Sequence, residues 1–107
     1  MNLSIISGRP PKNIEIDEPT PSSVVNITCA LADTEYSYSL PSGTKKIFIK
    51  TRNYNDVKYT FVSGESGSKY ITLNSGMSDV QTGNFSNKTI YVQSPTAGAV
   101  IEILCYQ

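Results

Sequence analysis

The sequence predicts an all-β fold: a single antiparallel β-sandwich of about eight strands, jelly-roll-like, preceded by a Pro-rich extended N-terminal arm. Three observations predict it. Apolar residues recur with period two from Val24 onward, the alternation of strands that bury one face. Short clusters of Gly, Pro, Asn, Asp and Ser punctuate these runs, supplying tight turns in place of the long crossovers a parallel sheet needs. The chain also holds 14 Ser, 10 Thr and 7 Tyr among 107 residues, with charged residues at only 17%, a composition that suits strands and turns better than helices. A chain of this length supports one core.

Residues 1–23 form the arm. Four of the six prolines (Pro10, Pro11, Pro19 and Pro21) fall here, and each fixes φ and removes an N–H donor, so the segment is expected to run extended outside the sheets. Within it only Asn13–Ile16 alternates like a short strand, with Ile14 and Ile16 on one side. Two readings stand: a disordered leader, or an arm that lies across a neighbouring subunit and orders on contact.

The sandwich occupies 24–107, with strands predicted at 24–32, 35–40, 45–52, 57–63, 69–74, 78–81, 88–94 and 99–106. The first places Val25, Ile27, Cys29 and Leu31 on one face. In the second, Tyr36 and Tyr38 share a face opposite Ser37 and Ser39. The third, KKIFIKTR, sets Ile47 and Ile49 against Lys46, Lys50 and Arg52, so one of its faces meets water. Val57, Tyr59 and Phe61 line up in the fourth, Ile71 and Leu73 in the fifth. Asn53–Asp56 joins two strongly patterned strands and predicts a hairpin, and Gly64–Gly67 predicts the next, giving a three-strand meander over 45–74. Ser75–Lys88 has the weakest pattern and many small polar residues, so it is read as the main exposed loop region; its Met77 and Phe85 either plug the end of the sandwich or meet a partner. The last strand is apolar on both faces, with Val100, Leu104 and Tyr106 opposite Ile101, Ile103 and Cys105, as strands covered on both sides are.

Composition excludes several function classes. Nine basic and nine acidic residues give zero formal charge, which removes the broad electrostatic footprint expected of a protein that binds nucleic acid or an anionic membrane. No stretch approaches the roughly 20 apolar residues of a membrane span. The first residues lack the basic and apolar regions of a secretory signal, so synthesis and folding in a cytosol are expected. There Cys29 and Cys105 are expected as buried free thiols, the alternative being a late bridge between first and last strands. The four Asn-x-Ser/Thr triplets are read as chance occurrences, because such acceptors are modified only on a secretory route.

The chemistry of catalysis is sparse. There is no His, so neither Ser nor Cys has the usual base, and no GxSxG elbow or phosphate-cradling glycine loop occurs. Asp33 and Glu35 are a close carboxylate pair in a turn, too few for the six to eight oxygens calcium takes. No cofactor, no metal and no enzymatic activity are expected. Tyr54, in a turn, is the best candidate for an exposed aromatic anchor. Five of the nine positive charges fall between 45 and 58 (Lys45, Lys46, Lys50, Arg52 and Lys58), a solvated face or one suited to an acidic partner.

The block YSYSLPSGTKKIFIKTRN, followed by KYITLNSG and TIYVQSPTAGAVIEILCYQ, resembles a small β-sandwich domain of tailed-bacteriophage virion proteins. The shared features are a strand ending at a Leu-Pro-x-Gly turn, a basic-apolar strand ending near Arg52, a YITL-type strand, an apolar-aromatic strand, an Ala-Gly turn and a final VIEIL-type strand. The resemblance covers Tyr36 to Gln107 and excludes the arm. It implies a non-enzymatic structural protein: a head decoration or auxiliary capsid protein on the virion surface, contacting the capsid protein. A carbohydrate-binding module for host attachment, or a fibre or baseplate component, is the alternative. A homo-oligomer is expected, by analogy a trimer, contacting through Val100, Leu104 and Tyr106, with Ile14, Ile16, Tyr54, Met77 and Phe85 as further partner-binding candidates.

Overall fold

The computed structural model describes residues 18–107. Eight strands run in chain order: β1 (Pro21–Cys29), β2 (Tyr36–Ser39), β3 (Lys46–Thr51), β4 (Val57–Thr60), β5 (Ile71–Leu73), β6 (Ser78–Thr82), β7 (Thr89–Gln93) and β8 (Ala99–Tyr106). They form two four-stranded antiparallel sheets, ordered β1-β8-β3-β6 and β2-β7-β4-β5. Every strand lies in the other sheet from its chain neighbour except β4 and β5. That order is the double Greek key of a jelly roll, and the expected sandwich is present.

Period two places the core between the sheets. Val25, Ile27, Ile47, Ile49, Ile101 and Ile103 from the first sheet meet Val57, Tyr59, Leu73, Ile90 and Val92 from the second, all buried. Burying a side chain of this size stabilises the fold by about 1.5–3 kcal/mol. One polar connection crosses the core. Tyr59 of β4 is fully buried, and its hydroxyl donates to Asp79 of β6 at 2.5 Å; Gln81 Nε2 donates to both, at 3.3 Å and 3.2 Å. A phenol placed there without a partner would be costly, so the two inward polar positions of β6 complete the core.

Three expectations need correction. The 45–74 meander is only half present: β4 and β5 pair antiparallel, but β3 pairs with β6 and β8 in the other sheet. Both edges of β3 are therefore occupied, and Asn53–Asp56 is an arch between sheets instead of a hairpin. Its backbone is held from outside itself: Ser94 Oγ donates to Asp56 O (2.7 Å), Ser75 Oγ to Tyr54 O (2.5 Å) and Thr51 Oγ1 to Asn55 O (2.9 Å). Second, β1 starts at Pro21 instead of residue 24, with Pro21 opposite Tyr106 across an irregularity before Ser23; β1 is an edge strand, where a missing donor is tolerated. Third, Leu31 lies beyond the end of β1 and is exposed.

Cys29 and Cys105 are buried free thiols, and burial raises both pKa values. The register forbids the bridge: Cys29 sits opposite Ala99 and Cys105 opposite Ser23, so six residues of strand, about 20 Å, separate them.

Candidate functional site

The outward positions of β1-β8-β3-β6 form rows across the sheet. Val24 pairs with Leu104, Leu104 with Phe48, and Phe48 with Val80, so one row is apolar across all four strands. Val24 is 65% exposed and Val80 50%; Phe48 and Leu104 between them are half-buried. Alternation makes such a stripe only when every strand carries an apolar residue at the same register, which solubility alone disfavours.

Charged and aromatic groups flank the stripe. On one side Lys46 and Tyr106 are paired in register, and the Lys46 ammonium sits 4.6 Å from the Tyr106 ring centroid. On the other, Glu102 accepts from Lys50 Nζ at 2.7 Å and Arg52 Nε at 2.8 Å. Those two cations hold the Glu102 carboxyl below its ordinary pKa.

Beyond Lys50 the surface descends into a basin lined by Phe48, Lys50, Arg52, Tyr54, Gly76, Met77 and Ser78. Tyr54 is 76% exposed and has φ of 57°, a left-handed conformation uncommon for a bulky side chain. Its ring lies against Gly76, where an added Cβ would sit 3.2 Å from the ring. Glycine at 76 thus permits the close approach as well as its own φ of 79°. Phe48 belongs to both basin and stripe, so the two are continuous. Tyr, Phe, Met and Arg are the residue types enriched at protein interfaces.

The residues expected to bind partners are distributed as follows. Tyr54 and Met77 are brought together in the basin, and Val100, Leu104 and Tyr106 all face outward, half-buried. Phe85 is instead turned inward: it stacks on Phe61 at 5.4 Å, and Phe61 meets Tyr59 edge-on at 6.2 Å, so Phe85 plugs the end of the sandwich. Ile14 and Ile16 lie outside the described residues. Tyr36 packs against the core, whereas Tyr38, two residues on along the edge strand β2, is 44% exposed. Lys58 stands apart from the other cations, in the second sheet, over the Tyr70 ring. Glu35 is a tether: it accepts from Gly64 N, Ser66 N and Ser66 Oγ, pinning the 61–70 loop, and the Ser66 hydroxyl bond chiefly keeps its pKa low. Sequence reasoning missed Val24, Phe48 and Val80; their signal was an apolar residue on the wet face of each strand, meaningful only once register is known.

Neither a family model nor a curated protein matches the chain. The fold is similar to the solution NMR structure of a de novo designed double-stranded β-helix, with 15% identity, a TM-score of 0.52, and coverage of 80% of this chain and 100% of that one. That likeness concerns fold alone.

Proposed function

We propose that the chain is a non-enzymatic structural protein of a tailed-bacteriophage virion, a head decoration or auxiliary capsid protein that docks on other virion proteins and on its own copies through the outer face of β1-β8-β3-β6. The observation that carries the docking role is the in-register row Val24, Leu104, Phe48 and Val80, an apolar band spanning a whole sheet beside a Tyr54–Met77 basin. The virion setting comes from the resemblance of Tyr36–Gln107 to such proteins. Hydrophobic centre and charged rim are the anatomy of a specific interface. Mass spectrometry and immunogold electron microscopy of virions from the phage genome encoding the chain test this: the protein is expected on the particle surface in fixed stoichiometry. Its absence from purified virions would end the proposal.

A second reading, glycan binding in host attachment, draws on the exposed Tyr54 ring beside Arg52 and Lys50, since a held aromatic face stacks on sugar rings. Saturable binding on a glycan array, lost in Tyr54→Ala, would select it.

A further inference from the structure

The apolar row on the outer face needs an occupant, and three features of the chain identify one. The first is direction. Thr20 and Gln107 exchange both backbone hydrogen bonds at 2.9 Å, so the chain preceding β1 still runs in the plane of the sheet and passes the end of β8. Glu18 precedes Pro19 and Thr20 precedes Pro21, and a residue before proline is held to extended conformations. Thr20 itself thus lies at the edge of the sheet, in its plane and not over its outer face.

The second is composition. Asn13–Glu18, NIEIDE, carries two isoleucines with period two and three acids within four residues. The apolar row is bordered by Lys46 on one side and on the other by Lys50 and Arg52, two cations that share the single carboxylate of Glu102, so both borders keep a net positive charge. An extended segment with Ile14 and Ile16 facing the row brings Glu15 and Asp17 within a Debye length, about 8 Å, of those cations. The third is reach and area. From residue 16 to Thr20 an extended chain spans about 13 Å, enough to pass to an adjoining molecule. Two outer faces alone, each with a projected area of roughly 400 Å², would bury about half of the ~800 Å² per partner typical of a stable interface.

We propose that residues 13–17 of one copy lie across the Val24–Leu104–Phe48–Val80 row of the next copy, an arm exchange between neighbours. This rests on the reading of the outer face as an assembly surface and names its occupant. An arm given to one neighbour while the face receives another is a head-to-tail contact, which closes into a ring when the rotation permits and accommodates a trimer.

Complementation in the full-length protein tests it. Ile14→Asp with Ile16→Asp disables the arm; Val24→Asp with Val80→Asp disables the face at two exposed positions. By light scattering and sedimentation, the wild type is expected as an oligomer at 100 μM and each double variant as a monomer, dissociating at least 30-fold more readily. Mixing the two variants is expected to produce a 1:1 heterodimer, because one supplies an intact arm and the other an intact face. A mixture that stays monomeric, an arm variant with the wild-type mass, or a monomeric wild type each overturns the exchange. Titrating the ¹⁵N-labelled arm variant with a synthetic peptide of residues 9–18 gives an independent check: amide shifts centred on Phe48 and Leu104 support it, and none at millimolar peptide refutes it. A protein present on virions but monomeric in solution would defeat the exchange while leaving the virion role intact. An arm-linked oligomer absent from virions would do the reverse.

Discussion

The two sheets share a core and a strand grammar but present opposite outer faces. Outside β1-β8-β3-β6 stand Val24, Leu104, Phe48 and Val80 in one row; outside β2-β7-β4-β5 stand Ser37, Tyr91 and Thr60 in one row and Thr89 and Ser39 in another. Both sheets contribute a buried apolar layer to the core, so burial in the core cannot account for the difference between their outer faces. Solvent-facing positions tolerate hydroxyls at no cost, and the second sheet uses them; the first departs from that default at the same register in four strands. A fold needs one apolar face per sheet, and a second one signals a contact outside the fold.

The largest expected effect breaks this contrast directly. Under the proposed docking role, Val24→Asp with Val80→Asp, which places a charge at each end of the row, is expected to weaken self-association and particle binding by about 2 kcal/mol or more, roughly 30-fold. Ser37→Asp with Thr89→Asp, the matching change on the other face, is expected to leave binding within twofold. Equilibrium binding to particles with both variants measures the asymmetry, and equal losses would dissolve it.

Changes beneath the faces sharpen it from the inside. Cys29→Ser sets a hydroxyl in a fully buried site and is expected to cost about 1–3 kcal/mol in urea unfolding without altering association by the folded fraction. Native alkylation of both thiols is expected to be slow and to become fast on unfolding. Tyr59→Phe removes the bond to Asp79 and is expected to cost about 1–2 kcal/mol.

Asp79, Glu35 and Glu102 also set the pH response. Their carboxyls are held low chiefly by bonds from Tyr59, Ser66 and Lys50 respectively. A folded-state pKa below the unfolded value contributes stability that is complete above about pH 5.5 and disappears as pH falls through the lowered values. Tyr59 is shifted the other way, upward, first by burial and then by Asp79, so the native state keeps its proton longer and stability declines above about pH 10. Urea midpoints across pH 2.5–7 are expected to fall on the acid side, less steeply in Asp79→Asn. The smallest effect is expected at Glu102→Gln, a few tenths of a kcal/mol, because its two ion pairs are partly solvated.

All eight strands were legible to within three residues at either end, because alternation and turn residues act locally. The β3–β4 connection was not. Asn53–Asp56 has the composition of a hairpin turn, and only the occupation of both β3 edges by β6 and β8 makes it an arch. Tyr54 was recognisable as a surface residue from its place in a turn, whereas Met77 and Phe85 were each open between plugging the sandwich and meeting a partner. Phe85 was ambiguous because its partner Phe61 lies 24 positions away in sequence. The apolar row was hidden for the same reason: Val24, Phe48, Val80 and Leu104 are each unremarkable in their own strands and acquire meaning only through register.

The position of β8 has a temporal consequence. It follows the other seven described strands in chain order, yet it lies between β1 and β3, so until β8 has been made β1 has no partner and the row lacks Leu104. Pairing of such distant segments is the slow step of β-rich folding. The apolar row is therefore incomplete on a chain made only as far as β7, and a molecule cut short before Ala99 lacks the strand that joins β1 to β3.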